Sequence, residues 1–226
     1  KSQYFSFGEL AKIHDQSISE YKGWNSLFII KFELKKGKTL DNHNINSHYP
    51  ELADKQKIFV ITKGVINMKH EGSEFLLREY DAVDFISSSQ IYEMEPQEDS
   101  TAFMISAKNL SSQSGKSVFF NFKKDIKSVD LWGGQCISRP YAGSGLTLVL
   151  FDLKPGFKFE DKGHANEQIT WLIFGKMDFH ANGVYKTLNS SNGVDIGPNH
   201  IHGGVSGGAM GFDAFFPKRQ ENKYKN

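Results

Sequence analysis

The sequence predicts an all-β protein built from two antiparallel β-barrel domains in tandem. Most segments either alternate between apolar and polar residues or run apolar for the length of one strand between Gly, Asn, Asp and Ser. The 19 phenylalanines and 21 glycines, against only 6 prolines, suit sheets joined by tight turns. The second half of the chain also repeats the first, which indicates two domains of one kind.

The repeat is visible in two pairs of segments. Residues 26–37 align without a gap with residues 145–156, and both segments end in a turn glycine. Further along, residues 58–64 parallel residues 169–175 in the same way. A repeat of this length indicates duplicated domains, because the repeats of a solenoid span only about 20–50 residues.

The boundary between the copies is expected in the polar, serine-rich residues 109–116, which have no periodicity and are typical of a linker. The predicted domains are therefore residues 1–110 and residues 117–226. Helical signals are sparse, and residues 7–13 are the segment expected to form a turn or two of helix.

Charge and cysteine content exclude several classes of partner. The chain has 27 Lys and Arg against 26 Asp and Glu, so its near-neutral charge gives no field for nucleic acid or an anionic membrane. No apolar run approaches the roughly 20 residues of a membrane helix. The single Cys136 rules out an intrachain disulfide framework and agrees with a reducing cytoplasm, where we expect the protein. The 226 residues contain no signal-peptide h-region, and export is left open. A homodimer is compatible with this organisation.

The most informative motif lies in the second domain. His164 is followed by Gln168, an apolar strand and the turn glycine Gly175, and His202 comes later in a Pro-Asn-His-Ile-His-Gly-Gly segment. Neutral imidazole suits zinc, iron, copper or nickel, and an amide oxygen completes a mixed nitrogen and oxygen set with positions open for substrate. The sequence therefore predicts a metal site.

The same motif resembles the cupin family. The order H-x-H-x-x-E-Q, apolar strand, G, then P-x-x-x-H-G is similar to the bicupin isomerases of the bacilysin and aeruginosin pathways and to the uronate ring-opening cupins. The resemblance implies jelly-roll barrels and one divalent ion, such as Fe, Zn, Co, Ni or Mn. It puts the family's second, third and fourth ligands on His164, Gln168 and His202.

The chain departs from the family at Lys162, which stands where the family has its first histidine. The site is then either a three-ligand site or one in which Glu160 or Asp161 supplies the fourth ligand. Lys162 itself either anchors a substrate carboxylate or is a solvated lysine. Arg139 and Tyr141, just before the repeated strand, are further candidates for holding such an acid.

The first domain is predicted to have lost the ligand set. In the aligned repeats, Lys57 stands opposite Gln168, and Ile91 or Tyr92 stands opposite His202. We therefore interpret residues 1–110 as a degenerate barrel and residues 117–226 as the metal-site barrel.

Other conspicuous residues have structural interpretations. His43 and His48 are expected to be solvated loop histidines. Because side chains alternate along a strand, only one of His200 and His202 should face the barrel interior, and the family position selects His202. By the same alternation Glu167 should point away from the interior and serve the fold.

Two classes of function follow from these expectations. The resemblance implies a metal-dependent isomerase or lyase of a small oxo acid, in which the ion lowers the pKa of the α-proton and a nearby base moves that proton. Relatives either shift a double bond in a prephenate-derived dihydro-hydroxyphenylpyruvate or open unsaturated uronates. The alternative is a non-catalytic sugar or small-acid binding module, and a dioxygenase is a weaker option. Neither a phosphate-binding loop nor a nucleophile elbow occurs in the sequence.

Overall fold

The computed structural model describes residues 1–8, 11–23, 26–87, 91–111, 113–130, 132–190 and 192–219, and of residues 109–111 it describes the backbone alone. Strands dominate these ranges, which confirms the all-β prediction. Within the same ranges, no helix combines the length and the apolar character needed to cross a membrane.

The first half of the chain contains most of the strands of one unit together with a short helix, α1 (Asn42–His48), and a 3₁₀ helix (Pro50–Leu52). Its strands are β1 (Gln3–Ser6), β2 (Ala11–Ile13), β3 (Gln16–Lys22), β4 (Leu27–Leu34), β5 (Leu40–Asp41), β6 (Lys55–Lys63), β7 (Ile66–His70), β8 (Ser73–Leu77), β9 (Asp81–Phe85), β10 (Tyr92–Pro96), β11 (Ser100–Ser111) and β12 (Val118–Asn121).

The second half consists of strands joined by turns and loops. They are β13 (Val129–Asp130), β14 (Cys136–Ala142), β15 (Thr147–Leu153), β16 (Lys158–Asp161), β17 (Glu167–Ala181), β18 (Val184–Asn189), β19 (Asn192–Ile196) and β20 (His202–Phe216).

The chain divides into two compact units. The N-terminal unit comprises residues 8–22 and 28–122. The C-terminal unit comprises residues 1–7, 23–27 and the chain from residue 123 onward. The C-terminal unit therefore takes two short segments from the beginning of the chain, which is a feature absent from the predicted division.

The main sheets of the two units share the order of six strands and differ at one edge, where the N-terminal unit has its last strand, β12, and the C-terminal unit has the first strand, β1. In the N-terminal unit the order is β12-β9-β6-β11-β4-β3-β2, and a second sheet runs β5-β10-β7-β8. In the C-terminal unit it is β1-β19-β17-β20-β15-β14-β13, with β16 paired to β20 and β18 to β17. These orders put β6 and β17, β9 and β19, and β11 and β20 in equivalent places, and the pairs β6–β9, β6–β11, β17–β19 and β17–β20 are all antiparallel.

The turn glycines of the sequence repeat share one backbone conformation. Gly64 has a φ of 90° and Gly175 a φ of 77°, values that a residue with a Cβ rarely adopts. At Gly175 an added Cβ would also overlap the carbonyl of Gly208 on β20. Glycine is thus required where β17 bends past β20.

Three local expectations are wrong. Ala11–Ile13 form strand β2 rather than helix, while residues 9 and 10 lie outside the described residues. The expected loop at residues 42–50 contains helix α1, because the Asp41 side chain accepts from the Asn44 backbone N–H and the Asn44 side chain accepts from the Asp41 backbone N–H. Part of the expected linker also belongs to β11, which extends to Ser111.

Candidate metal centre

The polar residues of the motif lie at the ends of neighbouring strands of the C-terminal unit. Asp161 is the last residue of β16 and pairs in register with His202, the first residue of β20. Gln168 is near the start of β17, which pairs with the other end of β20, and His164 lies in the loop between β16 and β17. The long, bent β20 and β17 thereby bring separate parts of the chain to one wall of the unit.

These side chains converge. One ligand atom from each of Asp161, His164 and His202 lies within 4.8 Å of the other two. The Nε2 atom of His164 is 2.8 Å from the Oε1 atom of Gln168. Two donors bound to one ion at about 2.1 Å and at right angles would be about 3 Å apart, so this separation suits neighbouring ligands. The donor set fits a first-row divalent ion.

The imidazole of His202 is oriented by the backbone. Its Nδ1 atom is 2.9 Å from the carbonyl oxygen of His200, so Nδ1 carries the proton and Nε2 is left with its lone pair. Burial lowers the pKa of His202 below its usual value. A neutral imidazole with a fixed tautomer is the form that binds a metal.

The amide of Gln168 is held in a similar way. Its Nε2 donates to Thr170 Oγ1 at 2.9 Å and to Asp213 Oδ1 at 3.1 Å, and the Thr170 hydroxyl donates to the same Asp213 oxygen at 2.6 Å. Since the amide nitrogen is anchored on this side, Oε1 faces His164. Thr170 and Asp213 are therefore positioning residues for a ligand, and the sequence motif does not include them.

Asp161 stands in the region of the missing first histidine. Its Oδ1 accepts the backbone N–H of Gly163 at 2.9 Å, and its Oδ2 lies 3.5 Å from a guanidinium nitrogen of Arg219. Along β16, Phe159 and Asp161 line the interior whereas Glu160 is exposed. Of the two carboxylates considered from the sequence, Asp161 is the one that the structure brings to the other donors.

The three residues expected to anchor a substrate lie elsewhere. Lys162 is exposed at the surface and does not line the cavity. On β14, Cys136 and Ser138 face the cavity, so the alternation of side chains turns Arg139 and Tyr141 to the opposite face of the strand.

Three of the four donor side chains, those of Asp161, Gln168 and His202, border a cavity of about 110 Å³ inside the C-terminal unit. Gln168, Asp161, His202, Thr170 and Asp213 contribute its polar side. The rest is largely apolar and aromatic, and it consists of Trp132, Phe151, Leu153, Phe157, Phe159, Met177, Phe179 and Phe215. Cys136 also lines the cavity, but burial raises the pKa of its thiol to about 11, so it stays protonated at neutral pH.

A buried cation that the sequence reasoning missed completes the cavity. The Arg219 side chain is 5% exposed, and its guanidinium lies 4.6 Å from the centre of the Phe215 ring. The backbone N–H of Arg219 donates to Thr147 Oγ1 at 3.1 Å, and that of Lys218 donates to the carbonyl of Gly145 at 3.0 Å. These contacts fasten the segment after β20 and direct Arg219 inward.

The remaining histidines and Glu167 have other surroundings. His200 lies 2.8 Å from the Ser2 hydroxyl, and His43 and His48 are exposed on α1. Glu167 is buried, and its Oε2 accepts the backbone N–H groups of Ser26 at 2.9 Å and Leu27 at 3.2 Å. Its role is to hold the segment 23–27 within the C-terminal unit.

Comparison with known proteins identifies the fold. No protein-family model matches this sequence, and no curated protein matches it. Among solved structures, AerE from Microcystis aeruginosa has a TM-score of 0.75 at 11% identity, covering 94% of this chain and 98% of its own. A cupin 2 conserved barrel domain protein from Leptotrichia buccalis has a TM-score of 0.64 at 13% identity, covering 96% of each chain.

A third neighbour contains metal. The oxalate decarboxylase of Bacillus subtilis, described with Mn(II) centres, has a TM-score of 0.69 at 10% identity, covering 96% of this chain and 78% of its own. Identities this low establish the fold alone. This chain has the cupin fold.

Proposed function

We propose that this protein is a metal-dependent isomerase that shifts a proton or a double bond within a small oxo acid, as part of secondary-metabolite biosynthesis. The observation that carries the proposal is the convergence of His164, Gln168, His202 and Asp161, the last three of which line an aromatic cavity. Fold neighbours that include AerE and a manganese decarboxylase are consistent with it.

The four side chains would hold the ion, and the cavity leaves room beside them for a ligand. When bound, such an ion supplies electrophilic stabilisation to an enolate oxygen. Thr170 and Asp213 keep the Gln168 amide aligned, and the His200 carbonyl keeps the His202 tautomer. These contacts hold the metal-binding side chains in place before any ligand binds, so the side chains need little rearrangement during the reaction.

The aromatic wall supports an isomerisation in particular. Rings such as those of Phe157, Phe159 and Phe179 exclude water from the cavity and contact an apolar body without donating protons. In an isomerisation the proton leaves one carbon and returns to another carbon of the same molecule, so the reaction needs no oxidant and no second substrate. A cavity of about 110 Å³ suits a reaction of one small molecule.

Metal-loaded protein should be assayed by ultraviolet absorbance with a prephenate-derived dihydro acid and, separately, with an unsaturated uronate. We expect the double bond of the prephenate-derived acid to migrate. The reaction should stop when a chelator removes the ion and resume when Mn²⁺ or Fe²⁺ is added back. Turnover of the uronate alone would identify the ring-opening reaction instead. Binding of both the ion and the acids without turnover would identify a non-catalytic small-acid binding cupin.

A further inference from the structure

The indole of Trp132 lies at the boundary between the cavity and the solvent. Its side chain lines the cavity, yet the residue is 49% exposed. Other large apolar side chains are exposed in the described part of the chain, but Trp132 is the one among them that also belongs to the cavity wall. The residue therefore marks the place where a ligand enters the cavity.

Backbone hydrogen bonds hold Trp132 in this place. Its N–H donates to the Asp130 carboxylate at 3.1 Å, directly after β13, and its carbonyl accepts the N–H of Gln135 at 3.3 Å. The carbonyl of Gln135 in turn accepts the N–H of Lys154 at 2.9 Å, just after β15. These contacts tie the turn between β13 and β14 to the sheet, so the indole is positioned before any ligand binds.

A continuous row of rings connects Trp132 with the candidate metal donors. The ring centres of Trp132 and Phe157 are 5.2 Å apart, and those of Phe157 and Phe159 are 6.0 Å apart. Phe159 and Phe179 follow at 6.1 Å, and Phe179 stacks on the donor His202 with 6.2 Å between the ring centres. All five rings line the cavity. A ligand whose polar end reaches the donors therefore contacts apolar rings along its body, and Trp132 is the last of them before solvent.

The exposed face of Trp132 makes the entrance selective. A tryptophan side chain offers a large, rigid apolar face, and covering it with another apolar group removes both surfaces from water. A ring at the far end of a ligand can cover this face, whereas pyruvate has only a methyl group beyond its carbonyl. The stabilisation is therefore available only to ligands with a ring or an equally broad apolar end.

We propose that Trp132 is the specificity-determining residue of this cavity, and that it selects small oxo acids whose carbon skeleton ends in a ring over short open-chain acids. The indole stacks on that ring and completes the aromatic wall at the entrance. This inference rests on the proposed function only in placing the oxo acid end of the ligand at the metal donors. It assigns no proton transfer to Trp132 and concerns binding alone.

Calorimetric titration of the whole protein, with and without Mn²⁺, tests this selection with phenylpyruvate as the ring-bearing acid and pyruvate as the short one. Trp132→Ala should weaken phenylpyruvate binding about 10-fold, because the apolar contact with the ring is lost. The same variant should change pyruvate binding less than about 2-fold. Trp132→Phe keeps an aromatic face and should recover most of the loss. Phe174→Ala is the matched control, since Phe174 is 70% exposed but does not line the cavity, and it should leave both affinities unchanged.

Fluorescence gives an independent readout of the same contact. The chain has 3 tryptophans, and the Trp132→Phe protein gives the background signal of the other two. Saturating phenylpyruvate should shield Trp132 from the collisional quencher acrylamide, whereas saturating pyruvate should leave the indole as accessible as in the unliganded protein. Circular dichroism of each variant verifies that the fold is retained.

Three results would overturn the inference. The first is an equal loss of pyruvate and phenylpyruvate affinity in folded Trp132→Ala protein, and the second is an unchanged phenylpyruvate affinity in that variant. The third is absence of phenylpyruvate binding to the wild-type protein both with and without Mn²⁺. None of these results depends on turnover. Absence of isomerase activity with the selection intact would reject the proposed function and leave the role of Trp132 standing.

Discussion

The interiors of the two units differ although six strands of their main sheets follow the same order. The sequence repeat left Ile91 or Tyr92 opposite His202. The strand registers select Tyr92, which pairs with His70 as His202 pairs with Ala181. In the N-terminal unit the Tyr92 ring stacks on Phe85 with 4.4 Å between the ring centres. Both rings are buried in a core that Phe59 and Ile61 of β6 also join. In the C-terminal unit the corresponding region contains polar donors and a cavity.

A second pair of equivalent positions differs in charge. Lys57 on β6 is opposite Gln168 on β17, and the Lys57 amine donates to the carbonyl of Lys55 at 2.9 Å. Burial lowers the pKa of Lys57 to about 8. A lysine in this place is a poor ligand for a cation, whereas the Gln168 oxygen is held ready by Thr170 and Asp213.

A third pair of equivalent positions differs in its hydrogen-bond partners. Gln56 donates to Asp84 Oδ1 at 2.6 Å inside the N-terminal unit. Its counterpart Glu167 instead accepts two backbone N–H groups from the segment 23–27. These three pairs show that the same order of strands can surround either a packed core or a ligand cavity. The difference comes from the residues at a few positions near strand ends.

The largest expected effect comes from His202→Ala, which would remove one of the donors that distinguish the C-terminal unit. Affinity for Mn²⁺ or Zn²⁺ should fall by about 100-fold or more, because loss of a direct ligand should exceed the 10- to 100-fold typical of losing an outer partner. Isothermal calorimetry measures this, and thermal unfolding should change little. His48→Ala on the exposed helix of the N-terminal unit is the matched control. Equal losses of metal affinity in both variants would show that His202 is not a metal ligand.

A smaller effect is expected for Glu167→Ala. Two buried backbone N–H groups would lose a charged acceptor, which should cost about 3 kcal/mol of unfolding free energy. Urea denaturation measures the loss, with Glu160→Ala at an exposed position as the control. If Glu167→Ala is no less stable than that control, the role of Glu167 as the anchor of the segment 23–27 is wrong.

The smallest expected effect is a gain in stability from Lys57→Met. The folded pKa of Lys57 lies below its unfolded value of 10.5, so the charged amine opposes folding below about pH 8 and this penalty disappears as pH rises toward 10.5. Lys57→Met should therefore stabilise the protein by on the order of 2 kcal/mol at pH 7 and by much less near pH 10.5. Urea titrations at both pH values measure it, with exposed Lys63→Met as control. A gain independent of pH would assign the effect to packing instead.

The strands and the convergence of the motif were accessible from the sequence because they depend on local patterns. Apolar runs of strand length occur in β6 and in the first half of β17, and the turn glycines at 64 and 175 both adopt positive φ. The family resemblance pointed to His164, Gln168 and His202, and the structure brings the three together. Helix α1 had a readable signal as well, the Asp41 and Asn44 capping pair.

Which cation faces the cavity could not be deduced in the same way. Whether Arg139 faces inward depends on which of two alternating faces meets the core, and no single strand encodes that choice. Arg219 lies after Pro217, in a basic segment without periodicity, and only tertiary contacts with Gly145 and Thr147 turn it inward. At both places the direction of the side chain depends on contacts between residues that are far apart in the sequence, which local patterns do not reveal.

Strand β1 has a consequence for how the protein is made. Its residues Gln3–Ser6 pair with Asn192–Asp195 of β19, so this segment finds its partner only after the N-terminal unit and most strands of the C-terminal unit have been synthesised. At about 5–20 residues per second, roughly 10–40 s of synthesis separate the two strands. The N-terminal unit can fold on the ribosome in that interval, whereas the C-terminal sheet closes only after β19 emerges, with an unpaired β1 exposed to wrong partners until then.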